Sequence, residues 1–159
     1  MILGTAGKHP VTVSCYRVTP ERALGQGEHI TGQQHLQLDP VPRVVGVARR
    51  FVADNAPDLP GPVHDVLLLL TSELVTNAVI HARTRLEVGI TVTDVSVLVT
   101  VHDEDLGLSE LPGPVREGGR GLELVSALAQ DSALDRHPGD GKTAWFRLAR
   151  SGSFSAEGR

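Results

Sequence analysis

The sequence predicts a two-layer α+β sandwich, a mixed or antiparallel sheet covered by helices on one face. Three observations point to it. Two helical segments precede two strand-like runs, a glycine-rich stretch follows, and a third helix leads into two more strands. The first two strand-like runs meet at Asp94-Val95, for which a tight antiparallel hairpin is the economical reading. The chain of 159 residues fits one domain with its own core.

Taken in order, residues 1–32 form a polar, glycine-containing extension in which Val11–Val18 alternates like an edge strand and Thr19–Gly32 reads as a loop. His35–Leu38 alternates like a short strand. Asp39-Pro40 then opens a helix from Val41 to about Asn55, with apolar residues at Val44, Val45, Ala48, Phe51 and Val52. Pro57, Pro60 and Pro62 break the chain before a helix over Val63–Ala82. Strands follow over Leu86–Thr93 and Ser96–His102. Asp103–Gly121 is too rich in Gly, Pro and acids for a regular element, Leu122–Gln130 returns to helical spacing, and Ser132–His137 and Lys142–Leu148 are strands turning at Asp140-Gly141. Residues 33–150 thus form the domain, and 151–159 a frayed tail.

Composition narrows the function. A single cysteine, Cys15, excludes an internal disulfide and a cysteine-based zinc site, in keeping with a reducing cytoplasm. A net charge of -4 argues against wholesale nucleic-acid binding. Met1–Lys8 has no apolar stretch of signal-peptide length. The longest apolar run, Val63–Ala82, is interrupted by His64, Asp65, Glu73 and Asn77, so no membrane span is expected. The expectation is a soluble, cytoplasmic protein.

The chemistry concentrates in Glu73-Leu-Val-Thr-Asn77-Ala-Val-Ile-His81. Each step of four residues turns about 40° past a full circle, so Glu73, Asn77 and His81 make one inclined row. Val66, Leu67, Leu70 and Leu74 share its sector, while Leu68, Val75 and Val79 lie opposite, which predicts a helix buried nearly all round. A buried carboxylate and amide need partners from the protein or from a ligand. Asp103 ends a buried strand, where it could accept a hydrogen bond from an exocyclic amine. Gly118-Gly119-Arg120-Gly121 opens a helix, where free backbone N–H groups favour a phosphate. Neither a Walker A loop nor a Rossmann fingerprint is present.

In this order the motifs resemble the GHKL ATPases and kinases with a Bergerat nucleotide fold, and among them the anti-sigma-factor serine/threonine kinases. Ser72–Ala82 is similar to their N box, Val101–Gly107 to the first glycine box, Gly119–Val125 to the second, and Gly141–Trp145 to the closing strand. The resemblance spans roughly residues 33–150. It implies ATP and Mg²⁺ as cofactors, with Asn77 on the metal, Glu73 as the catalytic base toward a protein hydroxyl, and Asp103 reading adenine with Thr143 nearby. It places His81, Gly107, Gly119, Arg120, Gly121 and Leu122 around the nucleotide, with Leu108–Gly118 as a short lid and Arg116 or Arg120 on the phosphates. It implies a sigma factor or an anti-sigma-factor antagonist as partner, a homodimer, and no direct role for nucleic acid or membrane. Asp105 stands where the family has its first glycine. The leading reading is a protein-serine/threonine kinase. The alternative is a module that binds its partner without phosphoryl transfer, sensing nucleotide or not.

Overall fold

The computed structural model of the chain describes residues 20–106 and 120–152. The expected strand Val11–Val18, the lid and the tail from residue 153 on lie outside them. The element order is α1 (Pro20–Ala23), β1 (Ile30–Leu38), α2 (Val44–Asn55), α3 (Gly61–His81), β2 (Leu86–Thr93), β3 (Ser96–Asp103), α4 (Arg120–Leu128), β4 (Asp131–His137) and β5 (Gly141–Ala149). The five strands form one sheet in the order β1-β2-β3-β5-β4, and every neighbouring pair is antiparallel.

Local chemistry explains the element ends. Pro62 sits in the first turn of α3, where its missing N–H removes no helical hydrogen bond. Arg83, at φ 53°, turns the chain out of α3 toward β2. Between β2 and β3, the Thr93 hydroxyl oxygen accepts the N–H groups of Ser96 at 2.8 Å and Val95 at 3.2 Å, so one side chain folds the turn that Asp94-Val95 predicts.

Leu86, Val88 and Ile90 of β2, Val97, Val99 and Val101 of β3, and Phe146 and Leu148 of β5 form the inner face of the sheet. On it lie Val44, Ala48 and Val52 of α2, the Val63–Ala78 stripe of α3, and Val125 of α4. Each fully buried large side chain here contributes about 1.5–3 kcal/mol. α2 lies over β1 and β2, α3 over β3 and β5, and α4 beside β4, which makes α3 the centre of the helical layer.

Three expectations change. α3 is not buried all round: Leu69 is 40% and Ile80 58% exposed, because the sheet, α2 and α4 cover its base and flanks and leave its outer strip open. By length and a mean hydropathy of 1.5, α3 also meets the requirement for crossing a bilayer, against the sequence expectation, although it is the core helix of the domain. Thr19–Gly32 is not loop throughout, since it contains α1 and the start of β1.

The outer face carries its own small cluster, in which Ala23 of α1 meets Leu98 and Trp145. Beside it Glu28 receives the Gly25 N–H at 2.8 Å, the Thr93 hydroxyl at 2.8 Å, the Ser96 hydroxyl, and Arg147 Nη1 at 2.7 Å. Burial works to raise the Glu28 carboxyl, but these hydrogen bonds and the Arg147 charge prevail and hold it below its ordinary value. A lowered folded value means that Glu28 stabilises the fold above about pH 4.3, and that this contribution disappears as pH falls through the folded value. Glu28→Gln should therefore cost about 1–3 kcal/mol at pH 7. In urea titrations the gap to wild type should close toward pH 3; a gap independent of pH would refute the assignment.

Candidate functional site

Two members of the polar row of α3, Glu73 and Asn77, face the start of α4. Glu73 and Asn77 are half-buried, whereas His81, in the last turn of α3, is exposed. Gly121 is what lets the two helices meet. A Cβ built on it would stand 2.5 Å from Glu73 Oε2 and 3.6 Å from Asn77 Nδ2. No side chain could occupy that position without displacing the carboxylate. The Asn77 Nδ2 atom is buried and has no hydrogen-bond partner among the described residues. A buried amide without partners is costly unless something else engages it. The Asn77 amide oxygen is a ligand suited to Mg²⁺, and the first turn of α4 offers N–H groups and a positive dipole end to an anion. The residues present therefore fit a nucleotide with its metal.

At the other end Asp103, only 3% exposed, closes β3. It follows Val97, Val99 and Val101 in strand alternation, so it faces the helices. Its Oδ1 accepts the Asp105 N–H at 3.0 Å. Burial pushes the carboxyl up and Asp105 adds to that; the Lys142 charge and the Asp105 N–H oppose it, and the net direction is upward. Gly141, at φ 87°, begins β5 against this turn. A Cβ there would collide with the Asp103 carbonyl oxygen and stand 2.8 Å from Glu104 Cα, so only glycine lets β5 start here. The Glu104 N–H donates to Thr84 Oγ1 at 3.0 Å, tying the turn to the end of α3.

Thr143 is not brought to Asp103. It pairs with His102, one residue before Asp103, and strand alternation sends both to the outer face. Its hydroxyl lies between His102 Nδ1 at 2.9 Å and His137 Nε2 at 3.0 Å. Lys142 is the residue opposite Asp103. Its ammonium lies 3.5 Å from Asp105 Oδ2. Sequence reasoning missed Lys142 as a site residue, although a signal existed: Phe146 and Leu148 belong to the core, and the same parity carries Ala144 and Lys142 inward. Gly107 and Gly119 lie outside the described residues. Arg120 and Leu122 are in the first turn of α4, beside Gly121.

The raised Asp103 carboxyl carries a sign. A folded value above the unfolded one favours folding at low pH, and that contribution is lost as pH rises through the folded value. Ionised Asp103 thus burdens the fold at neutral pH. Asp103→Asn should melt higher than wild type at pH 7, by about 2–4 °C for each kcal/mol gained, and should lose that advantage near pH 4. A variant that melts lower than wild type at pH 7 would show that Asp103 serves the fold.

The arrangement agrees with comparisons to known proteins. A family described as the histidine kinase-like ATPase domain matches residues 38–148. No curated protein matches the chain. Among solved structures, the RsbU and RsbW domains of Rv1364c from Mycobacterium tuberculosis share the fold, with a TM-score of 0.53 and 22% identity over 76% of this chain and 33% of that one. The chain therefore spans about a third of that relative's length. With a family match running from the end of β1 to the end of β5, and a five-stranded antiparallel sheet with helices on one face, the chain belongs to the histidine kinase-like ATPase domain family.

Proposed function

We propose that this domain binds Mg-ATP between α3, Asp103 and the start of α4 and acts as a serine/threonine kinase on a protein partner that governs a sigma factor, such as an anti-sigma-factor antagonist. The observation that carries this reading is the half-buried Glu73 and Asn77 pair held against a glycine, with the Asn77 amide nitrogen lacking a partner among the described residues. The family match supports nucleotide binding. The assignment to anti-sigma-factor kinases rests on the motif order, and the fold shared with a chain containing a domain named RsbW agrees with it.

Each residue has a separable part. Asn77 Oδ1 would hold the metal. Glu73 would orient the attacking hydroxyl and take its proton. Asp103 would accept a hydrogen bond from the adenine amine, and the first turn of α4 would hold phosphate oxygens through its N–H groups, with Gly121 giving them clearance. Bound Mg-ATP supplies the phosphoryl group. His81, Gly107, Gly119, Arg120 and Leu122 would flank the nucleotide. The second reading, a partner-binding module without transfer, is favoured by one observation: Asp105 places a second carboxylate 3.5 Å from Lys142, beside the base end of the site. We read the protein as cytoplasmic and homodimeric in either case; light scattering that returns a monomer at every concentration would remove the dimer.

Glu73→Gln separates kinase from binder. Saturating Mg-ATP, at about 100 times its dissociation constant, should stabilise wild type by roughly 2.7 kcal/mol. Asn77→Ala should abolish the metal-dependent part of that shift. Glu73→Gln should keep the shift and lower transfer to a protein hydroxyl by about 10² to 10⁴ fold. No melting shift with millimolar Mg-ATP would overturn nucleotide binding. Transfer undiminished in Glu73→Gln would overturn the base, and a wild type that binds ATP yet phosphorylates none of its partners would establish the module.

A further inference from the structure

Three strands meet at the base end of the site, and their register places charge there in a row. Asp103 on β3 pairs with Lys142 on β5, which pairs with Arg136 on β4. The turn after β3 adds Asp105, whose N–H binds Asp103 Oδ1 at 3.0 Å and whose carboxylate lies 3.5 Å from the Lys142 ammonium. Lys142 and Asp105 side chains are each only 16% exposed. A carboxylate at Asp105 alone would set two negative groups side by side in a poorly solvated pocket. Resting on the nucleotide reading above, we propose that Lys142 is a positioning residue for base recognition, which holds Asp105 aside and keeps Asp103 a pure hydrogen-bond acceptor for a 6-amino purine.

The chemistry distinguishes two bases. An ionised Asp103 can only accept, so it matches the exocyclic amine of adenine and repels the 6-carbonyl of hypoxanthine. A protonated Asp103 donates as well and tolerates the carbonyl. Among the described residues, the charged groups acting on Asp103 are Lys142 and Arg136, which favour its ionised form, and Asp105, which opposes it. Glu104 is exposed, and its backbone N–H donates to Thr84 Oγ1. Lys142 neutralises the residue that stands in place of the family glycine, and Asp105 and Lys142 function as a compensating pair.

The test is calorimetric binding of Mg-ATP and Mg-ITP between pH 5.5 and 8, with carboxyl-carbon NMR of Asp103 in the nucleotide-free protein. Lys142→Met should lower the preference for ATP over ITP by about tenfold at pH 7. It should also move the Asp103 titration midpoint upward. Lys142→Arg should retain the preference. Adding Asp105→Gly to Lys142→Met should restore it, which a general loss of folding would not allow. An unchanged preference and midpoint in Lys142→Met overturns this inference while leaving nucleotide binding intact. A wild type that binds neither nucleotide, with Asp103 titrating normally, overturns the nucleotide reading and this inference with it.

Discussion

The close approach of α4 to α3 across Gly121 is the contact on which the site depends. α4 is anchored to the core by Val125, with Leu124 and Leu128 packed beside it. Its height above α3 is then set by the absence of a side chain at Gly121, because a Cβ would stand 2.5 Å from the Glu73 carboxylate. A carboxylate at the positive end of a helix dipole is favoured by about 0.3–1 kcal/mol, which offsets part of the cost of its half-burial. The same glycine therefore fixes the spacing of two helices and the surroundings of the proposed base.

Strand parity governs the opposite end. β3 and β5 run antiparallel with Asp103 opposite Lys142 and His102 opposite Thr143, so adjacent residues serve opposite faces of the sheet. Gly141 keeps that register possible by letting β5 begin against the Asp103 carbonyl. α3 packs over both strands, so Glu73 and Asn77 at one end and Asp103 at the other are carried by one close-packed unit. The separation between the Glu73–Asn77 pair and Asp103 follows from this packed core.

How much of this was legible in the chain follows from which signals are periodic. β2 alternates along its length and β5 is an apolar run between turn signals, and their ends agree with expectation to within one residue. The α3 row was legible because Glu73 and Asn77 fall among the apolar positions of the C-terminal half of a long, mostly apolar helix. α1 was not: four residues show no period, and Ala23 gains meaning only against Leu98 and Trp145, more than seventy positions away. β1 was read as too short because Ile30–Gln34 do not alternate and their pairing carries a register shift at Ile30/Gly32; β2 supplies the template that makes them a strand. Thr143 was placed by motif and not by parity, and the core positions of Phe146 and Leu148 would have sent it outward.

Two carboxylates among the described residues, Glu28 and Asp103, show how a site can be told from a structural brace. Glu28 and Asp103 are both largely withdrawn from water, and burial is the first influence on each. Glu28 nevertheless ends below its ordinary value, because Ser96, Thr93, the Gly25 N–H and Arg147 all serve the charged form. Asp103 ends above it, with one backbone N–H, a lysine shared with a second carboxylate, and no other hydrogen bond among the described residues. A carboxylate whose acceptor capacity is filled by the protein stabilises the fold, whereas one left short of donors is held at the expense of stability. The shortfall at Asp103 lies on the same inner side of the sheet as the unpartnered Asn77 nitrogen, and Glu28 lies on the outer side. The unmet polar groups are thus gathered on one side of the sheet, and a ligand with an amine donor at one end and an anionic oxygen acceptor at the other would satisfy both.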